Sequence, residues 1–92
     1  MLLRRPEEVV RFAEACQLLK RHLVHTREIL NGKDFLFSGP SQELHTALKS
    51  LVEIEHRCSR FLQFDYVQID EYFLLRAAGI EKHLPIIESY FE

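Results

Sequence analysis

The chain has 92 residues, of which 47% are hydrophobic and 28% are charged, and its formal net charge is −2. This length predicts one domain, spanning residues 1–92, with a modest core. The charge argues against nucleic-acid binding, which needs a basic surface. No apolar run approaches the roughly 18 residues of a membrane span, and the N-terminus lacks a signal-peptide pattern. With two cysteines and no disulfide framework, we expect a cytoplasmic protein with reduced thiols.

The first predicted element is a long helix that begins near Pro6. Proline suits the first helical position, because its missing N–H would be unbonded there. We expect the helix to end at Asn31-Gly32, since glycine readily adopts the left-handed conformation that ends helices. Apolar residues at alternating steps of three and four form a seam that is typical of a helix packed against another. The seam residues are Val9, Phe12, Cys16, Leu19, Leu23, Thr26 and Leu30.

A second helix is predicted from Ser41, a favourable N-cap residue, to about Phe64. Residues 33–40 form the connection, and two long helices joined by a short connection should lie antiparallel. This pairing should bring Cys16 and Cys58 within about one turn of each other as small buried hydrophobes, with a redox pair as the alternative. The second seam consists of Leu44, Ala47, Leu51, Ile54, Cys58 and Phe61.

A third helix is predicted from Asp65, which can form a capping box with Gln68, to Gly79. Pro85 interrupts the remaining segment, so we expect a turn over residues 80–83 and then a short helix. The predicted fold class is therefore all-α. It is a small helical bundle, in which a third helix and a short C-terminal helix pack on an antiparallel helical hairpin.

The sequence contains few patterns that indicate chemistry. It has no nucleophile elbow, no phosphate-binding glycine loop and no metal-binding pair of the Cys-x-x-Cys type. Glu55 lies beside the second seam, either paired with a cation of the first helix or as a buried functional carboxylate. We expect no metal, no cofactor and no catalytic residue, because the remaining candidate ligands do not converge on one helix face. Those candidates are His22, His25, Glu28, Glu53 and His56.

Residues 41–51, Ser-Gln-Glu-Leu-His-Thr-Ala-Leu-Lys-Ser-Leu, resemble the phosphoacceptor box of sensor histidine kinases, Ser-His-Glu-Leu-Arg-Thr-Pro-Leu. In that family the box lies on the first helix of a dimerising hairpin. Gln42 stands here at the position of the phosphorylated histidine, and Ala47 stands at that of the proline. The resemblance therefore implies a dimerisation hairpin, with His45 as a displaced candidate phosphoacceptor and Lys49 as its partner.

The Ser-Gln-Glu-Leu run at residues 41–44 is also similar to the Ser-Gln-Glu-Leu-Asp signature of small helical-hairpin phosphatases that act on sporulation response regulators. His45 stands where that family has its working aspartate. Each likeness covers about a tenth of the chain, so we assign the chain to neither family.

These observations favour a regulatory module that is not an enzyme and that binds a protein partner or forms a homo-oligomer, such as a dimer, through apolar and aromatic helix faces. Membrane and nucleic-acid partners are not expected. The alternative is a phosphorelay component, either a phosphotransfer module that uses His45 or a regulator of a two-component system. Aromatic and large apolar side chains anchor interfaces. The expected contact residues are Phe35, Leu36, Phe37, Tyr66, Tyr72, Tyr90 and Phe91.

Overall fold

The computed structural model describes residues 5–91 and shows an α/β fold with a four-stranded antiparallel sheet. The predicted all-α class and the helical-bundle architecture are wrong. The elements, in chain order, are α1 Pro6–His22, β1 Leu23–Ile29, β2 Gly32–Ser38, α2 Ser41–Cys58, β3 Gln63–Ile69, β4 Tyr72–Ala78, a 3₁₀ turn Glu81–His83 and α3 Leu84–Glu88. Among these residues, no helix combines the length and the apolarity needed to cross a membrane.

The sheet has the strand order β1-β2-β4-β3, and every neighbouring pair is antiparallel. Each half of the chain contributes one helix followed by one β-hairpin of two seven-residue strands. The two hairpins meet through β2 and β4, where Phe35 lies opposite Leu75 and Phe37 opposite Phe73. The outer strands of each hairpin, β1 and β3, therefore form the two edges of the sheet.

The predicted third helix is replaced by β3 and β4, and Asp65 lies within a strand instead of capping a helix. Burial in these strands alternates with a period of two: Phe73, Leu75 and Ala77 are buried, whereas Tyr72 and Arg76 are exposed. Such alternation belongs to a strand with one face on the core. Aromatic and β-branched residues, which are dense in this region, fit that pleated surface better than a helix.

The first helix begins at Pro6 as predicted, but it ends at His22, and the residues that follow form β1. Residues 33–38, predicted to be a connection, belong to the central strand β2. The second helix ends at Cys58, six residues before the predicted end at Phe64. The predicted turn and short C-terminal helix are confirmed by the 3₁₀ turn and by α3, in which Pro85 lies in the first turn.

Each hairpin turn contains one residue with left-handed backbone: Asn31 has φ 59° and Asp70 has φ 54°. Asn and Asp are among the few residues other than glycine that adopt this conformation readily. Gly32 does not have a positive φ and is required for another reason. A Cβ atom at Gly32 would overlap the backbone carbonyl oxygen of Ala77 in β4.

The helices cover one face of the sheet, and the core lies between them and that face. The predicted α2 seam is confirmed from Leu44 to Cys58, since its five residues in the helix are all buried. Helix α1 packs mainly against α2 and buries only Ala15 and Leu19. Both cysteines are free: Cys58 is buried and Cys16 is half-buried against the core. The strands contribute Phe35, Phe37, Phe64, Phe73, Leu75 and Ala77 to the core.

Candidate functional site

The second face of the sheet points away from the core and is not covered by the described helices, and we call it the open face. The core residues of the strands all point to the other face, because successive side chains of a strand alternate between the two faces of a sheet. An antiparallel sheet with one solvated face usually shows polar residues there. The open face consists of His25 and Arg27 in β1, Asp34 and Leu36 in β2, Leu74, Arg76 and Tyr72 in β4, and Asp65, Val67 and Ile69 in β3.

An apolar band crosses the open face. Strand register aligns Val67, Leu74 and Leu36 in one row over β3, β4 and β2. Val67 is 51% exposed, Ile69 next to the row is 48% exposed, and Tyr72 opposite Ile69 is 37% exposed. Leu36 and Leu74 are half-buried. Large apolar residues therefore occupy positions where an uncovered strand usually has polar ones.

A row of alternating charge lies beside the band. Register places Arg27, Asp34, Arg76 and Asp65 side by side across β1, β2, β4 and β3. Arg76 donates to both carboxylate oxygens of Asp34, from Nε to Oδ1 at 2.8 Å and from Nη2 to Oδ2 at 2.9 Å. Arg27 Nη2 donates to Oδ2 at 2.8 Å. Both arginine side chains remain more than half exposed, whereas that of Asp34 is only 3% exposed beneath them.

The electrostatics of this row stabilise the ionised form of Asp34. The hydrogen bonds from the Arg76 guanidinium lower the pKa of the Asp34 carboxyl, and the single hydrogen bond from Arg27 acts in the same direction. Burial of Asp34 raises its pKa but is outweighed, so the pKa stays below its usual value of 3.8. Asp34 in turn raises the pKa of Arg76. Asp34 is therefore a buried carboxylate at neutral pH, held by two guanidinium groups.

A second polar cluster lies on the opposite side of the molecule, around Glu55 of α2. Glu55 is 1% exposed, and its Oε2 accepts hydrogen bonds from Ser59 Oγ at 3.1 Å and from the Tyr90 hydroxyl. These groups line a cavity of about 410 Å³ together with Cys16 and Phe12 of α1. Hydroxyl donors that satisfy a buried carboxylate offset the cost of its burial. The cluster therefore ties the C-terminal segment to α2.

The predicted contact residues are distributed over both faces of the sheet. Leu36 and Tyr72 lie on the open face. Tyr66 lies on the helix-covered face with Phe35 and Phe37, both of which are fully buried. The two remaining residues belong to the C-terminal segment: the Phe91 ring lies edge-on to Phe35 and Phe37, and the Tyr90 ring lies edge-on to Phe12 and Phe64.

His45 and Lys49 are both exposed on α2, one turn apart. The His45 ring lies 5.7 Å from that of Tyr66 and 6.4 Å from that of Phe73. The helical hairpin implied by the histidine-kinase resemblance is wrong, because a β-hairpin separates α1 from α2. A phosphoacceptor role for His45 stays a prediction.

The candidate metal ligands do not come together. His22 ends α1, whereas His25 and Glu28 lie on opposite faces of β1. His56 Nε2 instead lies 3.1 Å from the carbonyl oxygen of Phe64. Within residues 5–91, no group of three or more His, Cys, Asp or Glu side chains could hold a metal ion.

The sequence interpretation missed most of the open face, including Arg27, Asp34, Asp65, Val67 and Arg76. The sequence signal was an alternation with a period of two. On a strand, the charged and the apolar residues of the open face stand two positions apart, as Asp65 and Val67 do. This signal becomes informative only after the segments are assigned as strands. The chain matches no family model, and comparison with curated proteins and with solved structures finds no match either.

Proposed function

We propose that this protein is a non-catalytic interaction module that docks a protein partner on the open face of its sheet. The observation that carries the proposal is the apolar band of Val67, Leu74 and Leu36, with Ile69 and Tyr72 beside it. An exposed apolar patch rimmed by polar groups is typical of protein–protein docking sites. The charge row provides such a polar rim on one side of the band.

The energetics favour association through this band. Burying a valine, leucine or isoleucine side chain contributes roughly 1.5–3 kcal/mol when it is fully removed from water. Val67 and Ile69 are about half exposed, so a partner gains about half of that value from each of them. Hot spots of this kind lie near the centre of an interface, with charged residues at the rim. The band and the charge row have this arrangement.

The test compares two variants in affinity capture from cells that express the chain. Val67→Lys places a charge in the apolar band, whereas Val10→Lys makes the same change on α1, away from the sheet, at a residue with similar exposure (56% against 51%). We expect partners captured by the wild type to be retained by Val10→Lys and lost by Val67→Lys. Thermal unfolding of both variants verifies that they are folded. Equal capture by wild type and Val67→Lys would contradict the proposal.

The second candidate function is phosphotransfer at His45, favoured by the joint exposure of His45 and Lys49 on one helix. A phosphorylated histidine would carry an acid-labile label that is lost in His45→Ala. A label that persists in His45→Ala, or no label with any phosphodonor of the expressing cell, would eliminate this candidate.

A further inference from the structure

We infer that the free edge of β3 binds an extended segment of the partner protein, which adds to the four-stranded sheet as a further antiparallel strand. The inference rests on the proposed function and specifies its partner by chemistry. The added strand carries apolar, apolar and basic residues at alternate positions, in that order from its N-terminus. Three features of the sheet support this: the direction of the backbone groups of β3, the difference between the two edges, and the side chains beside the free edge.

The backbone groups of β3 that point away from the sheet belong to Phe64, Tyr66 and Gln68. In an antiparallel sheet the N–H and C=O of one residue point to the same side of the strand, and successive residues alternate. Directly after β4, the Gly79 N–H donates to the Asn31 carbonyl oxygen at 2.8 Å, so the odd-numbered residues of β4 bond towards β2. The even-numbered residues of β4 therefore bond to β3, where their register partners are odd-numbered. The even-numbered residues of β3 are left pointing outwards.

A second contact agrees with this assignment and shows which outward groups are accessible. The Phe64 carbonyl oxygen lies 3.1 Å from Nε2 of His56 on α2, so this group already contacts a side chain. The backbone groups of Tyr66 and Gln68 form no hydrogen bond with residues 5–91, the part of the chain that the structure describes. Five of the seven residues of β3 are exposed. The edge therefore presents two donors and two acceptors in the arrangement that an antiparallel strand requires.

The opposite edge, β1, has features that hinder strand addition. Its register with β2 shifts at Val24, which marks a bulge, and it carries the charged residues Arg27 and Glu28. Bulges and charges are devices by which proteins protect the edges of their sheets. By contrast, β3 pairs with β4 without a shift, and its one charged residue is Asp65. Of the two edges, β3 is therefore the one that accepts another strand.

The side chains of β3 on the open face determine the sequence that fits beside them. Asp65, Val67 and Ile69 lie on this face, and an added strand places one residue beside each of them. On the other side of β3, the register partners of these residues in β4 are basic, apolar and aromatic, respectively. Opposite charges and apolar pairs stabilise neighbouring strands. A strand of the same pattern is complementary to the free side, and antiparallel pairing puts its basic residue beside Asp65.

A second copy of this chain does not provide that pattern. When β3 pairs with β3 of a second copy about a two-fold axis, outward-facing residues must lie opposite each other. In the registers that overlap most of the strand, the axis passes through Asp65, Tyr66 or Val67. Asp65 then lies beside another Asp65, Val67 or Ile69, and never beside a cation. Pairing of β3 with the bulged β1 of another copy would not close into a dimer. The partner is therefore a different protein.

Hydrogen exchange of the ¹⁵N-labelled full chain, measured by NMR, tests strand addition. The probe is the peptide Thr-Tyr-Thr-Leu-Thr-Arg-Thr, used at about ten times its dissociation constant. We expect the amides of Tyr66 and Gln68 to exchange rapidly in the free chain and about tenfold more slowly with the probe. The Val67 amide bonds to β4 and should be protected in both states. Unchanged exchange at Tyr66 and Gln68 would overturn the inference.

Two altered peptides test the pattern and the backbone bonds without any change to the chain. A probe with Glu in place of Arg puts like charges together at Asp65, so we expect roughly threefold to tenfold weaker binding. A probe with N-methyl groups on its two inner threonines lacks the donors that face Tyr66 and Gln68, and we expect it not to protect their amides. Equal binding of either altered peptide and the original probe would contradict the proposed pairing.

Proline variants test the edge from the side of the chain. Gln68→Pro removes an outward N–H and obstructs the incoming strand, while the bonds from β3 to β4 remain. Gln68→Ala is the matched control, because it loses the same side-chain bonds to Ser41 and Asp70 but keeps the N–H. Glu28→Pro makes the corresponding change on β1. We expect Gln68→Pro to weaken probe binding by about tenfold or more, and both controls to bind as the wild type does. Equal weakening in Gln68→Pro and Glu28→Pro would refute a site on β3.

Affinity capture and sedimentation distinguish failure of this inference from failure of the proposed function. Partners that Gln68→Pro retains and Val67→Lys loses would dock on the open face without strand addition, which rejects only the inference. Partners that all variants retain would reject the proposed function as well. Self-association of the wild-type chain that disappears in Gln68→Pro would assign the β3 edge to a second copy and overturn the inferred partner.

Discussion

Asp34→Asn is the most informative single change, because Asp34 is the buried anion of the charge row. Its carboxylate accepts three hydrogen bonds of 2.8–2.9 Å from Arg27 and Arg76. A hydrogen bond to a charged group contributes about 1.5–3 kcal/mol to stability. Both arginine side chains are more than half exposed, so in the variant water can replace much of the hydrogen bonding that they lose with the carboxylate. We expect Asp34→Asn to lower the free energy of unfolding by about 2 kcal/mol at pH 7.

The pH dependence provides an independent check. The pKa of Asp34 is lowered in the folded state, chiefly by hydrogen bonds from Arg76, relative to about 3.9 for an unfolded aspartate. In the window between the two pKa values the unfolded chain binds more protons, so stability rises with pH. The contribution is fully present above about pH 5 and is lost as the pH falls through the folded pKa. The wild type and Asp34→Asn should therefore converge in stability in acid.

The assay is urea unfolding at several pH values between 7 and 2.5, with thermal unfolding as a second measurement. A loss of about 2 kcal/mol should lower the melting temperature by roughly 10 °C for a domain of this size. Asp65→Asn is the matched control, because Asp65 lies in the same row but is exposed; we expect it to change stability by less than about 0.5 kcal/mol. Equal effects of the two variants at pH 7, or an Asp34→Asn deficit that persists unchanged in acid, would refute the reasoning.

Two further predictions concern the core. Gly32→Ala should destabilise the protein by about 1–3 kcal/mol in urea unfolding, because its Cβ overlaps a backbone carbonyl of β4; Gly39→Ala meets a rotatable side-chain ring and should cost less. Equal losses of stability in Gly32→Ala and Gly39→Ala would contradict this reasoning, because they would show that β2 and β4 can move apart at little cost. Phe91→Ala should lower stability by about 2–3 kcal/mol, because it removes ring contacts at 5.0 and 5.4 Å from Phe35 and Phe37. An unchanged free energy of unfolding in Phe91→Ala would contradict this packing role.

The parts of the fold that were predicted correctly have local causes. The start of α1 at Pro6, the seam of α2 and the break before α3 follow from capping, from a period of 3.6 and from proline geometry. Each of these features is decided within a few residues. They were therefore visible in the sequence without knowledge of any distant contact.

The strands were misassigned because their apolar residues fit more than one period. Leu23, Thr26 and Leu30 continue the spacing of α1, although the chain leaves the helix at His22. The Asn31-Gly32 pair, interpreted as a helix end, lies at a hairpin turn, which Asn-Gly also favours. Short apolar runs cannot distinguish the two structures without their pairing partners.

The candidate site depended on contacts that lie far apart in the sequence. Phe35 and Phe37 were expected at a partner surface, but pairing of β2 with β4 turns them into the core and turns Asp34 and Leu36 outward. A register shift of one residue would reverse this assignment, since successive side chains point to opposite faces. The charge row exists only because four separate strands align its four members.

The sequence alone determined the composition of this chain, the start and the buried face of α2, and the aromatic content of its second half. The tertiary structure decided which of those residues are buried and which are exposed. The physical reason is that helix caps and helical periodicity act over a few residues, whereas the hydrogen bonds between β2 and β4 join segments about 40 positions apart. Only that long-range pairing gives the sheet two faces and leaves one of them uncovered.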